Sequence, residues 1–159
     1  MQLSQIILPE AIVPELSSTT KEDAILQLIE ILVASRGLDP SLKREITIGL
    51  LKRESTKTTA VENGIAIPHA KVTCVKEFFG ALGLCRIGVD FDSPDGKPVH
   101  VIFLFLSPKN KPEQHLKIMA LVSRLLTTPD FIGKLRSAPG REEIFNLLKV
   151  GPTDGWQLK

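Results

Sequence analysis

Three histidines, an arginine and a pair of threonines are the side chains of this sequence with the best claim to chemistry. His69 closes the stretch Asn63-Gly64-Ile65-Ala66-Ile67-Pro68-His69, an apolar lead-in that finishes in an imidazole. Pro68, with its fixed φ and no N–H, predicts that the strand ends where the imidazole begins. Gly64 after Asn63 suits a tight turn into that strand. Two readings stay open from these residues alone: a satisfied core histidine, or a side chain held still for reaction. His115 lies three residues after Pro112 and shares a helical face with Met119, Val122 and Leu126. That places an imidazole on a core-facing stripe near the free N–H groups of a helix N-terminus. The alternative is an amphipathic helix whose apolar stripe merely ends in a histidine. His100 opens an apolar strand, where a sheet-edge role is the simpler reading.

Arg53 falls at the end of a helical pattern and faces the hydroxyl-rich residues 54–63. It is either a solvated or capping side chain or, beside a phosphoryl group, a planar fork matched to phosphate oxygens. Thr58 and Thr59 would add hydroxyl donors, although threonines are commonplace in loops. No two histidines are spaced as metal ligands, and Cys74 and Cys85 have no partner cluster, which argues against a zinc or iron site. The chain carries no G-x-x-x-x-G-K-[ST] loop, no G-x-G-x-x-G after a strand and no G-x-S-x-G elbow. What remains is imidazole used as something other than a ligand.

The elements that position these groups come from an ordinary globular sequence. A length of 159 residues predicts one domain, able to bury about two-thirds of its unfolded surface. A net charge of +2 is too small to argue for a nucleic-acid partner. The longest apolar run, residues 101–106, falls far short of the about 20 residues that span a bilayer, so no direct membrane insertion is expected. The N-terminus lacks the basic start and cleavage site of a secretory signal. These features describe a cytoplasmic, reduced protein.

Residues 1–16, with prolines at 9 and 14, read as strand and turn. The next segment is a helix, with Thr19 and Glu22 as a capping box, apolar residues at Ala24, Ile25, Leu28, Ile29 and Leu32, and Gly37 as the stop. A second helix starts at Asp39-Pro40 and runs to about Arg53, followed by a loop over residues 54–63. Residues 78–87 form a candidate strand, and residues 89–108 a hairpin around Pro94-Asp95-Gly96. Residues 99–106 are apolar on both faces, the mark of a central strand covered on each side. A helix over 111–126, two short helices over 128–137 and 141–149, and a frayed tail over 151–159 complete the reading. The expected fold is α/β: a single domain over residues 1–150, with a central mixed β-sheet flanked by helices on both faces.

The stretches LLKRESTKTTAVENGIAIPHAK and PEQHLKIMALVSRLL together resemble the fructose–mannitol type of enzyme IIA of the bacterial phosphoenolpyruvate-dependent phosphotransferase system. Within that family the chain is most similar to the free-standing nitrogen-regulatory branch, over about residues 1–150. The resemblance implies a phosphoryl relay that needs no cofactor. In it His69 accepts a phosphoryl group from a histidine phosphocarrier protein, and His115 contacts that group. Arg53, Thr58 and Thr59 fall on the phosphate-binding positions. The implied further partners are an enzyme IIB that receives the group, or regulatory target proteins whose binding follows the phosphorylation state. Ala60 and Glu62 stand where the family usually has glycine, which bears on loop flexibility and carrier fit.

Overall fold

The computed structural model describes residues 2–150, so the expectation for a tail over 151–159 lies outside the described residues. Six strands form one mixed sheet: β1 Ile7–Val13, β2 Ala60–Val61, β3 Ile65–Ala66, β4 His69–Val72, β5 Phe79–Val89 and β6 Val99–Pro108. Their order is β1-β5-β6-β3-β2, with β4 pairing β6 beyond β3. Strand β6 runs antiparallel to β5 and parallel to both β3 and β4. It is the centre of the molecule. Apart from His100, every residue of β6 is buried, which is why its sequence is a continuous apolar run without alternation.

Helices cover both faces: α1 Leu3–Ile6, α2 Lys21–Ser35, α3 Lys43–Thr56, α4 Pro112–Leu126, α5 Pro129–Ser137 and α6 Arg141–Val150. The faces can be assigned from β6. Gly83 pairs with Ile102, and its missing side chain leaves room for Leu28 of α2, so α2 covers the Ile102 face. Ser107, an odd number of residues further on, points to the opposite face and meets His115 of α4. Helix α3 packs on β4 and against α2, while α5 joins α4 to α6.

Several sequence expectations shift in detail. Helix α2 is capped by Thr20, whose Oγ1 accepts the Asp23 N–H at 3.2 Å, rather than by Thr19 with Glu22. The neighbouring threonine offers the same spacing to an acidic residue one position on. Residues 3–6 form a helical turn before β1, where strand and turn were expected. Helix α3 follows a 3-10 turn at Pro40–Leu42 and extends to Thr56, past Arg53. The Ser55 and Thr56 hydroxyls, both bonded to the Lys52 carbonyl, give the extra residues local support. The Pro94-Asp95-Gly96 turn forms, with Gly96 N–H on the Ser93 carbonyl at 3.0 Å. However, the arm that pairs with β6 is β5 over residues 79–84 and again at Val89, with an irregularity between, and residues 90–98 make a longer excursion than a tight hairpin.

The lead-in to His69 is also two pieces instead of one. β3 is two residues long, the chain breaks at Ile67-Pro68, and His69 opens β4. Proline cannot donate to a ladder, but its carbonyl accepts the Phe105 N–H at 2.9 Å, so the break is bonded to β6 all the same.

Candidate functional site

His69 is half-buried and its Cα pairs with Phe105 of β6. Its Nδ1 lies 2.8 Å from the Ile67 carbonyl. A carbonyl only accepts, so Nδ1 carries the proton and Nε2 keeps a free lone pair. Burial pushes the pKa of His69 below the usual imidazole value; the Ile67 carbonyl and the Glu54 carboxylate oppose this, while the Arg53 and Lys71 charges add to it. The ring is held neutral, which is the nucleophilic form.

His115 sits in the second turn of α4, 7% exposed, with Nδ1 2.6 Å from Oγ of Ser107. Its pKa is also lowered, first by burial and then by Lys71 and His69. The buried face of α4 comprises His115, Ile118, Leu121, Val122 and Leu125; Met119 and Leu126 lie at its margins, one step round from the stripe expected. The N–H of His115 is already bonded to the Lys111 carbonyl, and Pro112 has none, so the free amides of this helix end are those of Glu113 and Gln114. The two imidazoles, 46 residues apart in sequence, face each other with ring centroids 5.7 Å apart and planes tilted by 46°.

Arg53 is half-exposed at the end of α3, and its Nη1 donates to the Lys57 carbonyl at 2.8 Å. It therefore caps a helix C-terminus while its charge still reaches His69. Lys71, two residues along β4 and paired with Ser107, is exposed on the same sheet face as His69. Thr58 and Thr59 are placed differently from what free donors require. Thr59 donates its N–H and its hydroxyl to the Glu54 carboxylate, the latter at 2.5 Å. The Thr58 hydroxyl lies 2.9 Å from Glu54 Oε1 and 2.6 Å from the Phe91 carbonyl, so its single proton is engaged.

Glu54 is a residue that sequence reasoning missed. It is 4% exposed, a carboxylate taken out of water and compensated by three hydrogen-bond donors and by Lys21 at 3.7 Å. The signal available was weak: an acidic residue beside hydroxyls reads as solvated loop. Ser107 and Lys71 were also passed over. Neither Ala60 nor Glu62 adopts a positive φ; the left-handed positions of this loop are Asn63 and Gly64. The conformation here does not call for glycine at 60 or 62.

Two neutral imidazoles, flanked by a guanidinium and an ammonium, suit an anionic group that one ring can hold covalently. The family model of the phosphoenolpyruvate-dependent sugar phosphotransferase system, EIIA 2, matches residues 5–150. The chain belongs to that family. EIIA proteins are the phosphotransferase components that carry phosphoryl groups. Among its relatives, a nitrogen regulatory protein of Bradyrhizobium diazoefficiens is 36% identical over 152 residues, covering 96% of this chain and 97% of that one. A fructose-specific EIIA component of Haloferax volcanii is 35% identical, covering 92% and 94%. The crystal structure of nitrogen regulatory protein IIA-Ntr from Neisseria meningitidis superposes with a TM-score of 0.83 at 27% identity, covering 92% of this chain and 98% of that one. Among the described residues no helix of this EIIA is long and apolar enough to cross a membrane.

Proposed function

We propose that the protein is a phosphohistidine carrier in which Nε2 of His69 accepts a phosphoryl group from the phosphohistidine of a histidine phosphocarrier protein. The observation that carries this reading is the facing pair of imidazoles, 5.7 Å apart, with Nδ1 of His69 committed to Ile67. In the transfer the Nε2 lone pair attacks phosphorus. The donor's N–P bond breaks, its electron pair returns to the donor imidazole, and no proton changes hands. Positive charge that develops on the His69 ring is shared with the Nδ1–H, which the Ile67 carbonyl stabilises.

Phosphoryl transfer depends on alignment and charge stabilisation more than on a base. His115, Arg53 and Lys71 surround the acceptor with groups suited to phosphoryl oxygens. Thr58 and Thr59 enter through the loop that Glu54 ties down, because their hydroxyls are already used. Exchange between two imidazoles is close to thermoneutral, so the group can be passed on.

The similarity to nitrogen regulatory proteins supports a regulatory role in the cytoplasm, in which target proteins respond to the phosphorylation state. The similarity to a fructose-specific component supports a second reading, a transport enzyme IIA that hands phosphate to an enzyme IIB. The test is intact mass after incubation with phosphoenolpyruvate, enzyme I and the carrier, for the parent and His69→Ala. One acid-labile phosphoryl group on the parent alone is expected; labelling of the variant would overturn the assignment. Adding a fructose- or mannitol-type enzyme IIB then separates the roles, since loss of the group to it indicates transport.

A further inference from the structure

Ser107 stands near the end of β6, 2% exposed, with its hydroxyl against Nδ1 of His115 at 2.6 Å. A buried hydroxyl has one proton and must place it. Among the described residues Ser107 Oγ has no other hydrogen-bond partner, and the residue is buried. If Nδ1 carried the ring proton it would donate to the serine, and the hydroxyl proton would be left without an acceptor. With the hydroxyl donating to a bare Nδ1, both groups are satisfied.

We infer that Ser107 is a positioning residue that sets the tautomer of His115, keeping Nδ1 an acceptor and Nε2 an N–H donor for the phosphoryl group on His69. The inference rests on the reading of His69 as the phosphoryl acceptor. It gives the two rings opposite tautomers for opposite tasks. A carbonyl, which only accepts, fixes His69 with its proton on Nδ1 and its lone pair on Nε2. A hydroxyl with nowhere else to donate fixes His115 the other way round. The distinction matters because His115 is buried and held neutral. A neutral ring in the wrong tautomer would present a lone pair to an anion, whereas the Nε2–H form offers a donor without taking up a proton. Lys71, directly across from Ser107 in the β4–β6 ladder, places its charge near the same edge but cannot choose between the tautomers of a ring it does not bond.

The test needs no phosphate at its first stage. In protein labelled with 15N-histidine, long-range proton–nitrogen NMR at neutral pH reports which ring nitrogen carries hydrogen. The expected result is a bare Nδ1 and protonated Nε2 on His115, with the reverse on His69. Ser107→Ala should move His115 toward a mixture of tautomers and leave His69 unchanged, and Ser107→Thr should preserve the parent pattern. In transfer from the phosphorylated carrier, Ser107→Ala should lower the rate at saturating carrier roughly tenfold, part of the about 10²–10³ lost when a whole transition-state donor is removed. The carrier concentration at half-maximal rate should not move, because Ser107 is buried away from any docking partner, and Ser107→Thr should restore the rate. A proton on Nδ1 of His115 in the parent, or a tautomer unaffected by Ser107→Ala, would overturn the inference. If the parent accepts no phosphoryl group the reading of His69 fails, while the nitrogen shifts still decide the role of Ser107. Should Ser107→Ala not fold, the parent tautomer and its retention in Ser107→Thr decide the question instead.

Discussion

His69 and His100 both direct Nδ1 at a backbone carbonyl, that of Ile67 at 2.8 Å and that of Cys85 at 2.9 Å, and both rings border β6. They sit at opposite ends of that strand, about 16 Å apart along it, and on opposite faces of the sheet. What separates them is the edge of the ring left over. Around His100 that edge meets peptide backbone: a Cβ on Gly64 would lie 3.3 Å from its Cδ2, and one on Gly88 3.0 Å from its Cε1. Around His69 it belongs to a site containing His115, Arg53 and Lys71. Anchoring an imidazole through Nδ1 is therefore not what makes it a candidate acceptor. The same device holds one ring as a wedge between glycines and the other as the proposed phosphoryl acceptor, and the surroundings of Nε2 separate the two.

The largest difference should appear in phosphoryl acceptance. His69→Ala should abolish it and His100→Ala should leave it intact, measured as acid-labile phosphate after exposure to the phosphorylated carrier. Acceptance lost equally in both variants would dissolve the contrast. Next, His115→Ala should keep the acceptor but slow transfer by about 10²–10³, seen in rapid-quench kinetics; an unchanged rate would remove His115 from the site. Glu54→Ala acts on the framework instead. It strips the Thr59 N–H and hydroxyl of their buried acceptor, while the Thr58 hydroxyl keeps the Phe91 carbonyl, and should cost roughly 3 kcal/mol in denaturant unfolding. For His100→Ala the loss should be nearer 1 kcal/mol, since water can reach a half-buried site once the ring is gone.

The smallest effect concerns pH. Burial lowers the pKa of His69 and of His115, so the folded protein resists protonation that the unfolded chain accepts near 6.5. Their contribution to stability is present above 6.5 and is lost as pH falls through the lower folded values. Unfolding measurements from pH 7.5 to 5 should show this decline. The His69→Ala protein should show a shallower one, and identical slopes would contradict the shift.

The α/β class, the central apolar strand and the sequence of helices were legible because burial on both faces and 3.6-residue periodicity leave a mark in residue type. His69 and His115 were legible for a different reason, since each breaks an apolar pattern with an imidazole. Supports made through backbone groups left no such mark. Neither the Ile67 carbonyl that orients His69 nor the Pro68 carbonyl that ties the break to β6 has a side-chain signature. Glu54 and Ser107 were hidden by the opposite effect, because a charged or hydroxyl residue reads as exposed until its long-range partners are known. For Glu54 those partners are Thr58, Thr59 and the distant Lys21, and for Ser107 the ring of His115.

Both imidazoles are referenced to three consecutive residues of one strand. Phe105 pairs with His69, and Ser107 bonds to the ring of His115. Breathing of the sheet thus carries the two rings in common mode, displacing them together while their spacing changes little. The proposed carrier would meet two jaws mounted on a single bar, so thermal motion of the scaffold would alter where the gap lies far more than how wide it is.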